Sequence, residues 1–186
     1  MVLRTPPSWL QNGSHPAEND RLTTQGLYRT TGILSSADLA VSQSGTPGMS
    51  VSVAAGWAAI LGTYQALMGC YVAYNDAALT GVVTTAHATL PRIDLVCLVV
   101  SDAYYTGATN TVALTVVAGT PNASPAVPST PTNAIALAQV AVAAAVTSIV
   151  TANITDLRVA VTSPFATSAS PKIGRASCRE RVFKDV

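Results

Sequence analysis

"RIDLVCLVV", residues 92–100, decides the fold, because seven of its nine side chains are apolar and they stand at consecutive rather than alternate positions. A run this short, rich in Val and Leu, reads as a central strand covered on both faces. Its only polar residues, Arg92 and Asp94, stand two apart near its start and so share one face of a strand. "YYTGATN", residues 104–110, then makes a loop, and Thr111–Val117 returns as the antiparallel partner.

The rest of the chain extends this pattern outward. In "MSVSVAAG", residues 49–56, Met49, Val51 and Val53 alternate with serines, as in a half-buried strand. Further short strands are expected at Trp57–Leu61, Cys70–Tyr74 with Asn75-Asp76 as its turn, and Leu79–Val83. "GTPNASPAVPSTPTN", residues 119–133, holds four prolines and cannot continue a sheet, so it is expected to cross the domain as a semi-extended connection. "AIALAQVAVAAAVTSIV", residues 134–150, has the alanines of a helix. Its large apolar residues nevertheless step by two, Ile135 with Leu137 and then Val140 with Val142, the second pair displaced onto the opposite face as if a bulge intervened. A strand to about Ala144, a second near Ile149 and a closing one from about Leu157 follow. The fold class is therefore mainly β, an antiparallel β-sandwich or barrel-like domain over 37–163. It is preceded by an irregular N-terminal arm, 1–36, which is polar and broken at Pro6-Pro7, Asn12-Gly13 and His15-Pro16.

The chain changes character abruptly near its end. Before residue 172 there is no lysine; after it, "KIGRASCRERV" holds four cations in eleven positions. Residues 173–182 resemble one translated frame of a short-read sequencing adapter, so 172–186 is expected to be non-biological read-through that adds nothing to the fold. Residues 164–171 then form the start of a truncated linker. Residues 1–171 carry five arginines against seven carboxylates, a net charge of −2, although the whole chain is formally +1. That leaves no basic patch to release counterions from nucleic acid and no polybasic signal for a membrane surface.

The uncharged stretch Val53–Tyr74 is long enough to span a bilayer. Gly56, Gly62 and Gly69 punctuate it as turns between strands would, and no Lys or Arg flanks it, so no membrane insertion is expected. Met1–Leu10 places two prolines where a secretory leader would be apolar. Cys70 and Cys97 do not make a disulfide framework and are expected to be buried small hydrophobes.

Catalytic patterns are missing. His15 and His87 have no partner at metal-ligand spacing, and the sequence contains no nucleophile elbow, phosphate loop or H-E-x-x-H. No catalytic, cofactor or metal site is expected, and no enzyme activity. Asp94 and Asp156 are each two residues from an arginine, in Arg92-Ile93-Asp94 and Asp156-Leu157-Arg158, so these four are candidates for structural ion pairs. Same-face placement near strand ends further predicts that the two strands lie close, with at least one Arg–Asp contact crossing between them.

In order along residues 10–161, "HPAENDRL", "MSVSVAAGWAAILG", "GCYVAYNDA", "LPRIDLVCLVVSD", "VVAGTPNASPAVPSTP", "AIALAQVAV" and "ANITDLR" resemble minor tail, baseplate or tail-fibre attachment proteins of tailed phages that infect GC-rich bacteria. The resemblance implies a mainly antiparallel β scaffold in the virion tail, assembled in the bacterial cytoplasm. Its partners would be copies of itself, as a trimer, and other tail proteins, with host contact through a missing C-terminal part. The alternative is a bacterial surface or secreted adhesin-type β-sandwich. A core made mostly of Ala and Val buries little area per residue, which also favours oligomer contacts that order the arm.

Overall fold

The computed structural model describes residues 16–106 and 109–162. The expectations for residues 1–15 of the arm, for 164–171 and for 172–186 lie outside the described residues.

Among the described residues ten strands form three antiparallel sheets, and these do not close into a barrel. The run that opened the sequence reading is β7, Arg92–Ser101. It is flanked by β8, Thr111–Val117, and β9, Ala134–Val142, and β9 carries β10, Ile154–Asp156, on its far edge. Val96, Leu98 and Val100 face the main core, whereas Leu95 and Cys97 are buried on the other face, as a doubly covered strand requires. The proline-rich connection starts beside one end of β7, where the Asn122 N–H donates to the Pro91 carbonyl. It finishes at the other end, where the Asn133 carbonyl accepts from the Val100 N–H.

A second sheet, β2 (Val41–Gln43), β3 (Ser50–Val53) and β6 (Leu79–Val82), lies across the core from the first. Val51 and Val53 point inward, and Ser50 and Ser52 are less buried, which is the period-two pattern made physical. A Cβ on Gly81 of β6 would sit against Val116 and Leu114, so β6 runs beside β8. At the opposite border, the Thr151 N–H donates to the Gln43 side chain, bringing β2 close to β10.

The third sheet contains β1 (Gly32–Ile33), β4 (Gly56–Leu61) and β5 (Cys70–Asn75). The uncharged stretch Val53–Tyr74 thus folds largely as an antiparallel pair with Gly56 opposite Asn75 and Leu61 opposite Cys70. Among the described residues no helix is long and apolar enough to cross a membrane. Ala58, Ile60 and Ala73 join the same core as the inner faces of the other two sheets.

Within the described part of the arm, residues 16–36, two regular elements appear. Residues Ala17–Leu27 form helix α1, with Glu18 and Asp20 in its first turn, where the helix dipole favours carboxylates. No residue of α1 is buried, so the apolar stripe that announces a helix in sequence is absent. After it, β1 pairs with β4, and Ile33 bridges Ala160, so this part of the arm is ordered by its own domain. The arm segment 16–36 thus has partners within its own domain. The strand expected near Ile149 does not form. Ile149 is buried, its N–H donates to Gly48, and Ala145 adopts a positive φ of 55° that breaks extension.

Candidate functional site

Arg92 and Asp94 face the core at the start of β7, with relative exposures of 4% and 0%. The guanidinium grips its own strand's carboxylate with both arms, Nε to Oδ1 at 2.8 Å and Nη2 to Oδ2 at 3.1 Å. Its other donors reach the carbonyls of Thr85 and Thr84 at 2.8 and 2.6 Å, in the segment that leaves β6. Asp94 Oδ1 also accepts the Gly119 N–H at 2.9 Å. Gly119 admits no side chain, since a Cβ there would lie 2.0 Å from the Ile93 carbonyl oxygen. One buried pair thus fastens the end of β6, the start of β7 and the start of the proline-rich connection.

Arg158 repeats the device at the sheet border. Its Nε and Nη2 meet Asp156 Oδ1 and Oδ2 at 2.9 and 2.8 Å, and its Nη1 donates to the carbonyls of Ser36 and Asp38. The Arg158 side chain's hydrogen bonds hold the Asp156 carboxyl below the usual carboxylate range.

The expected Arg–Asp contact between the two motifs does not occur. β9 lies between β7 and β10, with Asp94 opposite Val140 and Asp156 opposite Ala138, which puts two inter-strand spacings, about 10 Å, between the strands. Each arginine instead takes the aspartate two residues away on its own face, which leaves both carboxylates fully engaged by the nearer cation.

A third arginine cluster, absent from the sequence reading, gathers α1, β5 and the turn after β7. Arg21 of α1 donates from Nε to the Met68 carbonyl at 2.8 Å and from Nη2 to the Tyr105 hydroxyl at 3.0 Å. Its guanidinium carbon sits 5.1 and 5.5 Å from the ring centroids of Tyr71 and Tyr105, within cation–π range. Asp102, 3.7 Å from Arg21 Nη1, accepts the Tyr71 hydroxyl at 2.7 Å. Burial raises the Tyr71 pKa, and the bond to Asp102 raises it further, so this hydroxyl serves as a donor and not as a base. Gly69, at φ +80°, lets the Arg21 backbone approach, because a Cβ there would lie 2.5 Å from it. Beside this cluster a cleft of about 610 Å³ opens between Pro16–Arg21 and the residues joining β7 to β8, with Tyr71, Val100 and Val112 in its walls.

Among the described residues no three His, Cys, Asp or Glu side chains gather as a metal site would require. His87 Nδ1 accepts the N–H groups of Thr89 and Leu90, a turn-forming role, and His15 lies outside the described residues. Burial pushes the Cys70 and Cys97 thiols up to about 11, so neither is a ready nucleophile. Compared with known proteins, the chain matches no family model, no curated protein and no solved structure. What this arrangement does is therefore read from how the chain uses its charges: three of the four arginines among the described residues bind backbone carbonyls and an aspartate.

Proposed function

We propose that the chain is a structural component of a tailed-phage virion, a scaffold at the tail tip, baseplate or fibre base with no catalytic role. The observation that supports this reading is the commitment of its few charges to internal fastening. A free soluble surface carries on the order of a quarter to a third charged residues. Here the surface presents Trp57 stacked on Tyr74 at 4.7 Å, with Val72 and Val82 also exposed. Apolar side chains on a charge-poor surface suit contact with neighbouring subunits. The resemblance of the sequence to tail proteins supplies the kind of assembly: copies of this chain, as a trimer, among other tail proteins. Assembly in the bacterial cytoplasm and delivery into the virion tail follow from that reading, with no part for nucleic acid or membrane insertion.

Mass spectrometry of density-purified particles from the source sample is the direct test, with peptides from residues 16–162 expected in the virion fraction. Light scattering on the purified chain is expected to give a homo-oligomer. Peptides confined to bacterial surface fractions, with a strict monomer at every concentration, would overturn the scaffold in favour of the adhesin-type module.

A further inference from the structure

We infer that the cleft between α1 and the β7–β8 turn binds an uncharged saccharide. Its volume, about 610 Å³, falls in the range of small-molecule sites, on the order of 300–1,000 Å³. The chemistry of its walls selects the ligand. Arg21 and Asp102 compensate each other at 3.7 Å, and both are engaged elsewhere, Arg21 by the Met68 carbonyl and Asp102 by the Tyr71 hydroxyl and the Tyr104 N–H. A charged ligand would be desolvated there without a free counter-charge. Glu18 in the α1 wall is likewise engaged and supplies no free counter-charge.

The remaining groups are apolar or neutral and polar. Val100 and Val112 line the cleft, and Tyr104 stands at it 83% exposed. Asn110 uses its side-chain oxygen to accept the Ala103 N–H, which leaves its amide donors to a ligand, and Ser101 adds a hydroxyl. A sugar ring presents an apolar C–H face to an aromatic ring and hydroxyls at its edge to amide and hydroxyl groups. A wholly apolar ligand would cover the Asn110 amide and the Ser101 hydroxyl without replacing their hydrogen bonds to water. This site goes beyond the scaffold reading, and its failure would leave that reading as it stands.

The test is a titration of the ¹⁵N-labelled full chain with glucose, galactose and N-acetylglucosamine, with sialic acid as an anionic probe and cyclohexanol as an apolar one. At least one neutral sugar should give saturable shifts at amides around Ala17–Arg21 and Val100–Val112. Tyr104→Ala should weaken that binding by more than about tenfold, as for an aromatic anchor, with an unchanged unfolding midpoint because the side chain is exposed. Tyr104→Phe should retain binding. No neutral-sugar shifts at these amides, binding of only the anionic or apolar probe, or undiminished affinity in Tyr104→Ala would each overturn the assignment.

Discussion

Replacing Asp94 with alanine removes the acceptor of three hydrogen bonds, two from Arg92 and one from the Gly119 N–H. Arg92 stays in place at 4% exposure, still held by the Thr84 and Thr85 carbonyls but without its counter-charge. Breaking a buried pair from one side costs about 3–5 kcal/mol, because the surviving ion is desolvated. The Gly119 N–H, if left without an acceptor, adds to this, since an orphaned buried donor costs about 1–3 kcal/mol. Asp94→Ala is therefore expected to cost at least about 4 kcal/mol, a large share of the roughly 5–15 kcal/mol that holds a typical domain folded. Urea unfolding reads it as a lower midpoint at unchanged slope. Asp94→Asn keeps an acceptor for Gly119 and should fall between wild type and alanine. Arg92→Met combined with Asp94→Leu should recover part of the loss, because no unpaired charge is then buried. A cost below about 1 kcal/mol for Asp94→Ala, the size of an exposed pair, would refute the reasoning.

Gly119→Ala should destabilise by about 1–3 kcal/mol, seen in the same unfolding assay, since its Cβ would meet the Ile93 carbonyl at 2.0 Å and the backbone must move. For Asp156 the folded pKa lies below its ordinary value of 3.8, so its contribution is fully present above that value and is lost as pH falls through the folded pKa. The carboxylate is 58% exposed, and the cost of Asp156→Asn, under about 1 kcal/mol near neutral pH, should shrink toward zero in an unfolding series carried below pH 3.8; a cost unchanged with pH would contradict this.

How much was legible depended on whether a residue's role was local. β7 was visible because a doubly covered strand must be apolar at consecutive positions, and β3 because its serines mark the outer face. The break in parity between Ile135–Leu137 and Val140–Val142 was readable too, because an extra residue in the strand is what lets both pairs reach the same core. Helix α1 was not, because it buries no residue, and Arg21, which ties it to the rest of the domain, finds its partners 47 and 84 residues away. The only hint was an arginine in a polar segment and a Tyr-Tyr pair after Asp102, which no spacing rule connects. The expected Arg–Asp contact between the two motifs is absent because same-face placement within a strand says nothing about sheet order, and β9 stands between. Ile149 looked like a strand residue because burial alone shapes its local pattern; the positive φ at Ala145 gives no signal in a run of alanines.

Between Val96 and Cys97 of β7, the partner on β9 jumps from Ala138 to Ala136, leaving Leu137 as the extra residue. The sequence of β9, with Ala at four of its nine positions, is nearly self-similar under a shift of two, which is the kind of strand that slides along a neighbour. The bulge removes that freedom. Sliding β9 by one residue would turn both its halves outward, and sliding it by two would move the bulge away from its place opposite Val96 and Cys97. Deleting Leu137 would leave a regular ladder in which Ile135 still stands opposite Leu98 and Val140 and Val142 opposite Asp94 and Arg92, at the loss of one buried side chain and of the bulge that marks the register. The extra residue thus works as a key: it contributes one buried side chain, and it leaves a repetitive strand a single alignment in which all its large side chains are covered.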